Sequence, residues 1–99
     1  MTTQMFNPPH PGEFITETYL KPFGMTGRGL APLLEVAPST LARVLNGSSR
    51  VTPEMALRLS QVLGRSAESW LAMQNAYDLW QARSHIDVAK LTPVDFATA

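Results

Sequence analysis

Gly27-Arg28-Gly29-Leu30-Ala31-Pro32-Leu33-Leu34-Glu35-Val36-Ala37-Pro38-Ser39-Thr40-Leu41-Ala42-Arg43-Val44-Leu45-Asn46-Gly47 is the stretch whose spacing decides how this chain folds. Leu30, Leu33 and Leu34, and then Leu41, Val44 and Leu45, recur at helical spacing, and the short segment Glu35 to Pro38 between them leaves room for one tight turn. Pro38 suits the first position of a helix, where an N–H goes unpaired anyway, and Gly47 suits a stop because glycine takes the left-handed conformation freely. The preceding helix begins after Thr26, whose hydroxyl can cap it, and ends near Val36. Gly27, Gly29 and Pro32 oppose it. An interior proline costs ~3 kcal/mol, so a late or irregular start with Pro32 in the first turn is expected.

Outward from this pair the chain continues in helices. Three prolines in Pro8-Pro9-His10-Pro11 make residues 1–10 an extended arm that cannot be helical before Pro11. Phe14, Ile15, Thr18 and Tyr19 then share one face of a first helix that Pro22 and Gly24 stop near Leu20 or Lys21. Thr52-Pro53-Glu54 combines a cap, a proline and an acid at the start of a fourth helix, which presents Met55, Ala56, Leu59, Val62 and Leu63 before Gly64. Ser66 caps the longest helix, which runs to about Arg83. The expected fold is all-α, one domain of five helices over residues 11–83 with a long C-terminal helix, followed by a tail, 84–99, that fits no pattern.

Composition narrows the function. The chain has 99 residues, no cysteine and a formal net charge of zero, which excludes a disulfide framework, a thiolate metal site and a cysteine nucleophile. Apolar runs fall far short of the ~20 residues that cross a bilayer, and no secretory signal is evident, so a soluble cytoplasmic protein is expected. His10 and His85 lack metal-ligand spacing, no serine has a base placed for it, and no glycine-rich phosphate loop follows a strand. The expectation is therefore no enzyme, cofactor, metal or small-molecule substrate. Zero net charge also conceals a distribution: residues 28–65 hold five arginines against two glutamates, a net of +3, between flanks of −1 and −2.

That basic centre coincides with two helices joined by a short turn, the layout of a helix-turn-helix, whose second helix enters the major groove. Ser39, Thr40 and Arg43 fall on the outward side of that helix, opposite Leu41, Val44 and Leu45. Arg43 can donate two hydrogen bonds to guanine O6 and N7, while Ser39 and Thr40 discriminate weakly. Helix N-termini, with Thr26, Arg28, Asn46, Ser48, Ser49 and Arg50, are candidate phosphate ligands. The bland alternative is a five-helix packing domain without ligand, its arginines simply solvated.

His10-Pro11-Gly12-Glu13, Tyr19-Leu20-Lys21-Pro22, Leu45-Asn46-Gly47, Thr52-Pro53-Glu54-Met55-Ala56-Leu57-Arg58-Leu59 and Ala76-Tyr77-Asp78-Leu79-Trp80 together resemble the HigA family of antitoxins, of the Xre/lambda-repressor-like helix-turn-helix class. The resemblance covers residues 10–82. It implies a dimer that represses its own operon at a palindromic double-stranded operator and neutralises a HigB toxin, a RelE-like ribonuclease that cleaves mRNA. Three positions depart from the class. Gly27 stands where a phosphate-contacting glutamine is frequent, Glu35 replaces the glycine of the turn, and Ala37 replaces the hydroxyl cap of the recognition helix. The departures keep two alternatives open: a stand-alone repressor, and a protein-interaction module with a decayed DNA-binding face.

Trp70 and Met73 read as core, whereas Tyr77, Leu79 and Trp80 lie beyond the reach of the first four helices and are expected to bury against their copies in a homodimer. The arm and first helix, Pro8 to Tyr19, form the candidate toxin-binding surface.

Overall fold

Four of the five helices start at a side chain that accepts a hydrogen bond from the helix's own first turn. The structure, a computed structural model, describes residues 7–97. His10 caps α1 (Pro11–Ile15), its Nδ1 accepting from the Gly12 N–H at 2.9 Å. Thr26 caps α2 (Gly27–Leu34), Thr52 caps α4 (Pro53–Val62) and Ser66 caps α5 (Ala67–Arg83). The exception is α3 (Pro38–Leu45), which follows Ala37 and has no side-chain cap. Its first-turn amides are therefore left to solvent or to a ligand.

α1 runs without a break into a π-helical turn, Thr16–Leu20, in which the Lys21 N–H donates to the Thr16 carbonyl at 2.9 Å. The wider turn moves the buried face by one residue. Leu20 enters the core, and Thr18, expected on that face, is exposed. The expectation for α2 was also wrong: the helix starts regularly at Gly27 and Pro32 lies in its interior. Pro32 faces outward, the Thr26 hydroxyl holds the Gly29 N–H at 3.0 Å, and Arg58 from α4 donates to the Leu34 carbonyl at 2.8 Å. Both ends of the helix are tied down, which offsets the missing proline N–H.

The core gathers Ile15, Leu30, Leu34, Leu41, Val44, Val51, Leu59 and Trp70, with the Trp70 indole N–H donating to the Gly64 carbonyl at 2.9 Å. Leu33 and Val62, expected inside, are exposed at 58% and 37%. α1 packs across the C-terminal end of α3 so closely that a Cβ on Gly12 would lie 2.0 Å from the Val44 carbonyl oxygen. Only glycine fits there. The stretch after α5 contains one 3-10 turn, Val88–Lys90, and exposes Ile86, Leu91, Val94 and Phe96. Residues 1–6 of the arm and 98–99 of the tail lie outside the described residues.

Candidate nucleic-acid interface

The turn between α2 and α3 depends on one left-handed residue. Glu35 takes φ 58° and ψ 44° as the C-cap of α2, which costs a non-glycine residue about 1 kcal/mol. Val36 donates to the Ala31 carbonyl at 3.1 Å, and the Arg58 guanidinium, bonded to Glu54 at 2.8 Å, reaches the carbonyls of Leu34 and Glu35. Arg58 therefore closes the turn. The left-handed conformation, which glycine adopts most readily, is held here by an arginine from α4.

α3 buries Leu41 and Val44, half-buries Leu45, and turns Ser39, Ala42, Arg43 and Asn46 outward at i, i+3, i+4 and i+7 spacing. Ser39 and Ala42 line a shallow groove with Pro38, Gly27, Arg28 and Leu45. Thr40 is set apart from this stripe: it is half-buried beside Val36, Thr52, Met55 and Arg58. Ala42 was missed in the sequence because its face was judged by polarity. Its methyl group suits the C5-methyl of thymine, and the i+3 step from Ser39 was the signal.

The loop after α3 is tied by its own hydrogen bonds. Gly47 takes φ 85°, and the N–H groups of Ser48 and Ser49 both donate to the Arg43 carbonyl at 3.0 Å. Asn46 Oδ1 accepts from the Ser48 N–H at 3.0 Å and from its hydroxyl at 2.7 Å, so the Asn46 amide N–H groups stay available. Arg50 pairs with Asp78 of α5. Asp78 in turn accepts from Gln74 Nε2 at 3.0 Å, and Gln74 Oε1 accepts from the Val51 N–H at 2.7 Å. Burial acts to raise the Asp78 carboxyl, but the hydrogen bonds from Arg50 and Gln74, with the charges of Arg50 and His10, bring it below its ordinary value. Gln74 also escaped the sequence reading, since a glutamine in a long helix carries no signal of burial.

The arginines of the basic centre separate by what their guanidinium groups touch. Arg58 closes the turn, and Arg65 lies over the Phe14 and Trp70 rings at 5.1 and 5.8 Å while bonding Ser69 at 2.8 Å. Both are structural, and Arg50 is half engaged. Among the described residues, the guanidinium groups of Arg28 and Arg43 have no ion pair or hydrogen bond; both side chains are exposed, Arg28 at the groove and Arg43 within the stripe. A Cβ on Gly27 would lie 2.9 Å from Leu45 Cδ1, so the smallest residue lets the start of α2 seat against α3.

Of the expected self-association residues, Tyr77 is half-buried under the edge of the His10 ring at 5.0 Å and accepts from Gln81 at 3.1 Å. The arm covers part of what the sequence left bare. Leu79 is 53% exposed and Trp80 is half-buried at the arm. Among the described residues no helix is long and apolar enough to cross a membrane, and no cluster of three acidic or histidine side chains is placed to hold a metal.

This architecture has relatives. The helix-turn-helix family pattern matches residues 17–70. The chain belongs to the helix-turn-helix family. Within it, the chain is 43% identical over 88 residues, 89% of its length and 93% of the relative's, to the transcriptional regulator YddM of Escherichia coli K12. It is 36% identical over 73 residues, 74% of this chain and 69% of the relative, to antitoxin HigA-1 of Vibrio cholerae. Among solved structures it is similar to antitoxin GraA, with TM-score 0.83 and 36% identity over 90% of this chain and 99% of that one. GraA bound to its operator gives TM-score 0.81 at 35% identity, over 91% and 94% of the two chains. This is a family of antitoxins and transcription regulators, not of enzymes.

Proposed function

We propose that this helix-turn-helix protein is an antitoxin that works in the cytoplasm, binds the operator of its own operon as a dimer and represses it, and neutralises a HigB-like, mRNA-cleaving toxin. The observation that carries the reading is the outward stripe of α3, with the unpaired guanidinium of Arg43 in it and that of Arg28 beside it, in a chain similar to GraA, which is known bound to its operator. In this reading Arg43, Ser39 and Ala42 meet base edges, with Thr40 at the margin. Arg28, Asn46, Ser48, Ser49, Arg50 and the amides capped by Thr26 contact phosphates. Two protomers present α3 to successive major grooves about 34 Å apart on a palindromic site.

Self-association uses Leu79, Trp80 and the open edge of Tyr77, an isologous contact in which this patch of each protomer meets the same patch of its partner. The toxin is bound away from the outward face of α3, along Pro8 to Tyr19, where exposed Glu13, and Glu17 beside its partner Lys21, attract a basic protein. A repressor without a toxin is the second reading, suggested by the similarity to YddM, named only as an HTH-type transcriptional regulator. Co-expression with the product of the neighbouring reading frame separates the two. Relief of that neighbour's growth arrest supports the antitoxin, and a harmless neighbour with operator binding intact supports the lone repressor.

A further inference from the structure

Gln74 is 1% exposed, and both ends of its amide are used. Its carbonyl takes the N–H of Val51, the residue that follows the loop 46–50, and its amino group bonds the carboxylate that holds Arg50. Gln74 and Asp78 are one turn apart on α5, so a rigid helix connects the anchor of the loop to the anchor of its arginine. Arg50 is left 54% exposed with one edge of its guanidinium occupied and the other N–H groups open.

We propose that Gln74 is a positioning residue for DNA binding: by holding the Val51 amide and the Asp78 carboxylate at once, it fixes where Arg50 presents its guanidinium to a phosphate. The proposal rests on the operator-binding reading. A planar fork loses less freedom on binding when one edge is already fixed, so Asp78 orients Arg50 as well as discounting its charge. Arg50 then contributes to the protein–DNA contact only where the duplex fits the loop.

The test is operator binding by the full chain, measured from about 50 to about 200 mM salt, for Gln74→Met, Arg50→Ala and the double variant. Arg50→Ala is expected to lower affinity about fivefold to tenfold and to flatten the log–log salt slope by up to about 0.9, one phosphate contact less the share Asp78 already neutralises. Gln74→Met, close in shape but without polar atoms, is expected to flatten the slope equally, and in the Arg50→Ala background to change nothing further. Asp78→Asn keeps an acceptor for the Gln74 amino group but not the carboxylate that holds Arg50. At this half-buried position it is expected to remain folded with the flattened slope, and it carries the test if the methionine variant does not fold. A wild-type slope in Gln74→Met, or in Asp78→Asn in its place, or losses that multiply with Arg50→Ala, would overturn the proposal. Arg43→Ala is the control. Should the wild type bind no operator, the functional reading falls and this inference with it, whereas Arg43-dependent binding with a Gln74-independent slope removes this inference alone.

Discussion

At the scale of single residues the structure turns on small atoms in tight places. Gly12 admits no side chain because α3 carbonyls crowd it, so Gly12→Ala is expected to cost about 3 kcal/mol, read from the midpoint of urea unfolding. No rotamer relieves a Cβ that meets backbone on arrival. His10 is a second such point. Burial lowers its pKa from the ordinary 6.5, against the pull of its bond to Ser49 and of the Asp78 and Glu13 carboxylates. The folded chain thus takes up this proton less readily than the unfolded chain. The contribution is fully present above pH 6.5 and is lost as the pH falls below it, when protonation of Nδ1 also removes the cap of α1. His10→Asn keeps a capping oxygen without the titration, so its unfolding midpoint is expected to fall less between pH 7.5 and pH 5.5 than that of the wild type.

At the scale of elements, legibility in the sequence followed how local the cause was. The starts of α4 and α5 were readable at Thr52-Pro53-Glu54 and at Ser66, because a cap acts within one turn. α2 was misjudged because what offsets Pro32 comes from Arg58, on another helix. The π turn escaped for the opposite reason: nothing in Thr16 to Leu20 distinguishes it from a regular helix, and Leu20 moves inward only because the core takes it. The same split marks the interface. The outward placement of Arg43 and Ser39 was readable from helical spacing, while the bonds of Gln74 and the structural roles of Arg58 and Arg65 depend on contacts between elements far apart in the chain. Glu35 gives the turn its own test. Replacing it with glycine removes the left-handed strain and is expected to stabilise the fold by about 1 kcal/mol in thermal or urea unfolding.

At the scale of the whole molecule, the α2–α3 end carries the free arginines, and the far end of α5 carries exposed Leu79 and half-buried Trp80. Cutting the chain after Gln74 would remove Asp78 and the Tyr77–His10 contact together with the candidate interface, so a surface substitution tests association more cleanly. Leu79→Glu is expected to sediment as a monomer with unchanged helix content and to bind a half-site weakly. A dimer that persists would move the interface elsewhere. The central claim, that α3 reads operator DNA, is tested most directly by gel shift of wild type and Arg43→Ala against the DNA upstream of the gene, with non-specific DNA as competitor. The predicted result is a specific complex in which Arg43→Ala loses about 1–3 kcal/mol of affinity while non-specific binding changes little. Equal affinity of the two proteins for that DNA would contradict it.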